Sequence, residues 1–202
     1  MENEKIVAEG NLQPAENEIS LPAENEVRLP AENEIRLPAE NEVYWGRTKE
    51  SAIIPTKRDE DAGFDIYAAE RDKEVAIAPH ATVKISTGIC SAFHPSKVVI
   101  LKERGSTGVL GIGQRAGVID SGFRNEWQVV ITNTGDKPLL LTNTPDLYKE
   151  HTEVLNVYDI RKAICQAVFV DVPKLTSKEM TADAIQALPS ERGLGAFAST
   201  NK

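Results

Sequence analysis

Four stretches of the chain hold side chains whose types and spacing could do chemistry. In "GVIDSGFRNEW", residues 117–127, a short apolar run ends in Asp120, a Ser121-Gly122 turn pair follows, and Phe123 comes next. The pattern predicts a β-hairpin with a carboxylate and an aromatic ring at its tip, and backbone amides near 117–120 free to read a planar ligand. An ordinary hairpin whose Asp caps its own turn fits the same residues. In "KERGSTG", residues 102–108, Arg104 and Ser106 stand among glycines. Glycines let backbone N–H groups approach a phosphate, while a hydroxyl and a guanidinium share its charge. The same composition also describes a plain glycine turn.

"DAGFDIYAAE" carries Asp61 and Asp65 four apart, a spacing that places both on one side of a strand. Either could face Mg²⁺ through water, since that ion keeps several waters and takes one or two carboxylates beside substrate phosphates; as surface acids they need no such role. Gln166 in "KAICQAVF" lies between apolar neighbours, so its amide must find a partner in the protein or in a ligand. The chain stops on "RGLGAFASTNK", residues 192–202, which by itself reads as a frayed end.

The elements that must position these residues are strands. "VYWGRT", "GFDIYAA", "EVAIA", "TVKISTGICSAF", "KVVILKE", "EWQVVITN", "PLLLTN" and "KAICQAVFVDV" are short apolar or alternating runs cut by turns. With little helical periodicity, that spacing predicts an all-β barrel or sandwich. "SKEMTADAIQAL" allows one short helical turn or an ordered loop, and residues 143–160 form a longer polar connection than a hairpin needs.

Residues 1–43 differ in kind. An octapeptide of the form LPAENE(V/I)R recurs, with Pro14, Pro22, Pro30 and Pro38 eight residues apart. A proline at that interval forbids one continuous helix, and each unit has too few apolar residues for a core, so an acidic, disordered tail is expected. Its last copy leads directly into the first strand. The domain division is therefore a tail over 1–43, a barrel over 44–191 with an inserted loop near 143–160, and the C-terminal segment 192–202.

The net charge of -8 sits entirely in that tail, where eleven glutamates face only Lys5, Arg28 and Arg36; the barrel itself is neutral. No basic stripe suggests a nucleic-acid partner. Cys90 and Cys165 lie far apart in apolar stretches and read as two reduced core thiols. No apolar run approaches membrane-spanning length, and the acidic N-terminus does not resemble a signal peptide, so no membrane association and a cytoplasmic location are expected.

Taken together and in order, "AGFDIYAA", "ERGSTG", "GVIDSGFR", "AICQ" and "RGLGAFAST" resemble the five motifs of the trimeric dUTP pyrophosphatase (dUTPase) family, which includes phage and mobile-element members. The resemblance implies a jelly-roll-like distorted β-barrel, a homotrimer, and three active sites each built from all three subunits. It implies Mg²⁺-assisted hydrolysis of dUTP to dUMP and pyrophosphate, which keeps uracil out of DNA and supplies the dTTP precursor. By position, Asp120 would orient the attacking water, Phe123 would lie against the deoxyribose, and Gly117, Val118 and Ile119 would read uracil together with Gln114. Arg104, Gly105, Ser106 and Gln166 would contact phosphates, and Asp65 would touch the metal through water. In a mobile C-terminal lid, Phe197 would stack on the base while Arg192, Ser199 and Thr200 surround the terminal phosphates.

The chain departs from the family pattern at Phe123 and Gln114, where Tyr and Asn are usual, and at Asn125, Ala196 and Ala198, where glycine is. Its second motif reads Arg104-Gly105-Ser106 instead of Arg-Ser-Gly or Arg-Ser-Ser. dCTP deaminase, or a bifunctional deaminase that also hydrolyses the triphosphate, shares the fold but needs a glutamate seven residues beyond the hairpin aromatic, a place held here by Val130. The hydrolysis requires neither the 143–160 loop nor the repeated tail, so either could serve a protein partner in a regulatory role.

Overall fold

A computed structural model describes residues 36–191, 193 and 194. Among the described residues twelve strands form four small sheets. They are β1 (Val43–Arg47), β2 (Gly63–Ile66), β3 (Val75–Ile77), β4 (Thr82–Ser86), β5 (Ile89–Phe93), β6 (Lys97–Lys102), β7 (Ile112–Arg115), β8 (Val118–Asp120), β9 (Gln128–Asn133), β10 (Leu139–Thr142), β11 (Asn156–Asp159) and β12 (Cys165–Asp171). Helices α1 (Gly105–Val109) and α2 (Ala182–Gln186) are one turn each. The sheet orders are β1-β5, β11-β10-β3, β2-β12-β6-β8 and β4-β9-β7. All pairings are antiparallel except β10 with β11. The result is the expected all-β, jelly-roll-like distorted barrel.

Period-two alternation in the strands builds the core. Ile89, Ser91 and Phe93 of β5 turn inward, as do Val99 and Leu101 of β6 and Cys165 and Ala167 of β12, and they meet Ile66, Trp127, Val129, Ile131, Leu139 and Leu141. An aromatic cluster runs through this core. Trp45 meets Trp127 edge-on at 5.1 Å between centroids, and Phe93 meets Phe169 the same way at 5.1 Å. Cys165 is buried, which pushes its thiol pKa up; Cys90 is half-buried, and both thiols are free, as read from sequence.

Three local readings change. "TVKISTGICSAF" is two strands, because the chain breaks at Thr87-Gly88, where Gly88 takes φ +68° and its carbonyl accepts the N–H of Thr48 at 2.7 Å. The polar connection at 143–160 is partly regular: a 3-10 helix spans Pro145–His151, and β11 then returns parallel to β10, with Tyr158 buried and its hydroxyl on the Ala163 carbonyl at 2.6 Å. β7 and β11 went unread in the sequence because "IGQR" and "NVYD" are too short and polar to show a period.

Ala39 and Glu42 of the last repeat copy close a turn, Glu42 N donating to the Ala39 carbonyl at 2.9 Å, and β1 begins at Val43. The other repeat copies lie outside the described residues.

The break at Gly88 is a point of close approach as well as positive φ: a Cβ there would stand 2.9 Å from that of Ala52 and 3.1 Å from that of Lys49. Gly88→Ala is therefore expected to cost about 1–3 kcal/mol, read as a lowered melting temperature in a thermal unfolding scan.

Candidate functional site

The candidate residues form two groups, held at opposite ends of one strand. The first is assembled where β2, β12 and β6 run side by side. Asp65 of β2 lies opposite Gln166 of β12, and Gln166 lies opposite Lys102 of β6. Beyond Lys102 the chain turns outward. Arg104 caps α1: its N–H donates to Thr107 Oγ1 at 2.9 Å, and that hydroxyl donates back to the Arg104 carbonyl at 3.0 Å. The Arg104 side chain is held from below, with Nε 3.0 Å from Asp65 Oδ1 and Nη1 donating to the Ala163 carbonyl at 3.3 Å. Gly105 and Ser106 are exposed, and the space where a Gly105 Cβ would point is open. Gly105 and Ser106 thus lie open beside a fixed guanidinium, an arrangement suited to an anion.

Gln166 is half-buried, and its Nε2 donates to the Glu103 carbonyl at 2.9 Å. The partner its amide required is therefore the backbone just before Arg104. Gly63 makes room for it: a Cβ at Gly63 would stand 3.1 Å from Gln166 Oε1. Glu103, which sequence reasoning passed over, is the hinge of this group. Its Oε1 accepts the backbone N–H of Gln114 at 2.7 Å, and its Oε2 lies 3.1 Å from Lys102 Nζ. The Gln114 N–H, with Glu103's own amide, holds the carboxyl below the usual Glu range.

Asp61 is not part of the group. β2 begins only at Gly63, so the spacing of four does not carry Asp61 onto Asp65's side of a strand. Its carboxylate takes a bidentate pair from Arg58, at 2.8 and 2.9 Å, and that exposed pairing lowers its pKa to about 2.

The second group lies on β8 and the turn after it. Val118 and Asp120 point outward and Ile119 inward. Phe123 N donates to the Asp120 carbonyl at 3.0 Å, closing a turn that leaves the Phe123 ring 38% exposed. The Asp120 carboxylate is exposed and makes no hydrogen bond or ion pair among the described residues. A cavity of about 230 Å³ is lined by Ala116, Val118, Ile119, Asp120, Phe123, Glu126 and Gln128. Its floor is braced by Glu126, whose Oε1 accepts from the Ser86 hydroxyl and from Gly88 N at 3.0 Å. Burial pushes the Glu126 pKa up, and these two donors, with Lys49 and Gln128 nearby, more than reverse that.

The structure corrects the expected hairpin: β8 pairs with β6 and not with β9, while β7 pairs with β9. Gln114 Nε2 donates to the Arg115 and Val130 carbonyls at 3.0 and 3.1 Å, which turns its amide along β9. Ala116, at φ 46°, marks the strained corner where the chain leaves β7 for β8. A larger cavity, about 670 Å³, lies between residues 40–43 and Phe64 and Phe169, and no candidate residue lines it. Arg192, Phe197, Ser199 and Thr200 lie outside the described residues.

The dUTPase family model matches residues 49–144, which span Asp65, the Arg104 turn and the Asp120 turn. A deoxyuridine 5'-triphosphate nucleotidohydrolase of Clostridioides difficile is 27% identical over 158 residues, 76% of this chain and 94% of that protein. Among solved structures, a mutant dUTPase of Staphylococcus bacteriophage 80alpha with dUpNHpp superimposes with TM-score 0.59 at 18% identity, over 79% of this chain and 98% of that one. A mutant dUTPase from phage phi11 of S. aureus, described as coordinating a structural Mg(II) ion, gives TM-score 0.54 at 17% identity over 69% and 97%. Over residues 49–144 the chain is similar to the dUTPase family.

β8 can lie against β6 only because residue 117 has no side chain: Gly117 O accepts the Leu101 N–H at 2.7 Å, and a Cβ on Gly117 would stand 2.7 Å from the Leu101 carbonyl oxygen. Gly117→Ala should push β8 off its partner and cost about 2–3 kcal/mol, seen as a lower urea midpoint with unchanged m-value.

Proposed function

We propose that the chain hydrolyses dUTP to dUMP and pyrophosphate at sites shared between three copies. The carrying observation is the disposition of the two groups in a chain similar to this family. Val98 of β6 lies opposite Asp120, and Arg104 follows the other end of the same strand. Six residues separate those points, the first four steps of them along the strand, on the order of 15–20 Å. A carboxylate that activates water at the α-phosphorus and an arginine that holds the same triphosphate must be several times closer. The two groups of one chain therefore serve different sites, and each site takes Asp120 from one copy and Arg104 from another.

The C-terminal segment supports the same assembly. Val172, Leu175, Met180, Ile185 and Leu188 are all exposed, and α2 buries nothing. An apolar run of this length without cover on its own barrel fits packing on a neighbouring copy, and it would carry residues 192–202 to that copy's site as a lid.

In the shared site Asp120 accepts a proton from a water whose oxygen bonds to the α-phosphorus as the bond to the bridging oxygen breaks; pyrophosphate leaves and dUMP remains. Phe123 offers its ring face to the deoxyribose. Backbone groups of Gly117, Val118 and Ile119, with Gln114, read the uracil edge. Arg104, the amides of Gly105 and Ser106, and Gln166 hold phosphates. From the tail, Phe197 covers the base, and Arg192, Ser199 and Thr200 close on the terminal phosphates.

Among the described residues no three acidic, His or Cys side chains gather. Asp65 supplies one half-buried carboxylate, already paired with Arg104. That set fits Mg²⁺ carried in by the triphosphate and touched through water, and not a resident ion. When bound, the ion offsets phosphate charge.

The deaminase reading has no support at Val130, an aliphatic side chain in β9. A protein partner at the 143–160 loop is supported by Leu147 and Val154, both exposed beside the 3-10 helix.

Asp120→Asn should keep the fold and dUTP binding but lose turnover by about 10³-fold or more, measured by pyrophosphate release; an unimpaired variant removes Asp120 from the mechanism. Arg104→Ala should also be nearly inactive. Mixing the two variants under subunit exchange should restore about one quarter of wild-type activity, because each mixed cyclic trimer contains one site with both residues intact; no recovery despite demonstrated mixing would place both residues in a single-chain site.

A further inference from the structure

The strand pairings leave a gap between β6 and β7 that a single side chain fills. β7 is the edge of the sheet β4-β9-β7, and β6 belongs to the other sheet, β2-β12-β6-β8. Gln114 sits in β7 with its N–H turned away from β9, toward Glu103 at the end of β6, and the Glu103 carboxylate accepts it at 2.7 Å. An edge-strand N–H has no obligatory partner in its own sheet. Here it donates a charge-assisted bond to the carboxylate of the residue preceding Arg104. The main chain of Glu103 is engaged as well, its carbonyl accepting Gln166 Nε2 at 2.9 Å. One residue thus grips the strand leading to the base-facing segment with its side chain and the phosphate-facing glutamine with its backbone.

Glu103 does not line the cavity at Asp120 and Phe123, and both of its functional groups are spent on protein partners. Its ion pair with Lys102 is exposed on the lysine side and contributes little.

We propose that Glu103 is a positioning residue, whose carboxylate locks the Gln114 strand to the Arg104 turn and so fixes the two half-sites of each chain relative to one another. The proposal rests on the dUTP-hydrolysing site described above. Because each active site joins the phosphate-facing half of one chain to the base-facing half of another, an error in this angle misplaces both halves of every site. The loss falls first on substrate affinity, since Glu103 contacts Gln114 and Gln166 and makes no contact with Asp120.

The test uses the full chain with Glu103→Ala, Glu103→Gln and Lys102→Ala, each measured by dUTP steady-state kinetics and by hydrogen exchange at the Gln114 amide. Glu103→Ala should raise KM about tenfold with kcat within about threefold of wild type, and exchange at the Gln114 amide should quicken at least about tenfold. Glu103→Gln keeps an acceptor oxygen of the same reach and should recover most of both; Lys102→Ala should match wild type. Where Glu103→Ala fails to fold, Glu103→Asp, one methylene too short to reach Gln114, takes its place with the same expectation. An unchanged KM in the truncated variant, or a Gln variant as impaired as Ala, overturns the proposal. If the wild-type chain does not turn over dUTP, the functional reading fails by itself; the lock is then judged by exchange at Gln114, and a protection equal in Ala and wild type overturns it.

Discussion

The double pairing of β6 is the constraint on which the rest of the structure depends. β12 bonds along one edge of this strand and β8 along the other, so its position admits little adjustment without breaking a ladder on one side. Both sets of functional groups are referred to it. Gln166 and Asp65 reach the first end through β12 and β2, Arg104 is its direct continuation, and Asp120 hangs from the far end on β8. A paired strand cannot shorten, and its length keeps these sets apart. On the proposed reading no single copy of such a barrel holds a complete site, and assembly becomes a condition of the chemistry.

Close approach and polar bridging hold that frame together at its weakest points. Gly117 and Gly63 are small where a Cβ would strike the neighbouring strand or the Gln166 side chain. Glu103 and Glu126 each join segments that no backbone ladder connects: Glu103 ties β6's end to β7, and Glu126 ties the segment after the Asp120 turn to the β4-β5 break. Half-buried carboxylates that accept several N–H and O–H donors stay ionised and directional, so they fix angles as well as distances. Arg104 is prepared in the same manner, since Asp65 and the Ala163 carbonyl set its guanidinium before any ligand arrives.

Much of this was legible in the chain itself. The eight apolar or alternating runs all contain strands, because period two expresses a face toward the core. The turn at Asp120, the glycine turn at Arg104 and the buried environment around Gln166 were visible because each joins a functional residue type to a backbone requirement. Asp61 misled, since its spacing from Asp65 means one strand face only if the strand begins early enough, and it begins at Gly63. Glu103 carried no signal of its own. Its importance lies in Gln114, eleven residues on, which no local pattern connects to it.

Sequence alone determined the all-β class, the acidic repeated tail, the candidate residues and the order of the motifs, since these follow from local composition and side-chain alternation. Tertiary structure alone decided which of those residues meet. β8 chose β6 over β9 as its partner, β11 returned parallel to β10, and Asp120 came to lie a strand's length from Arg104. Pairing of that kind is a competition among distant segments for shared edges and shared core volume, and its outcome depends on the whole set of strands at once.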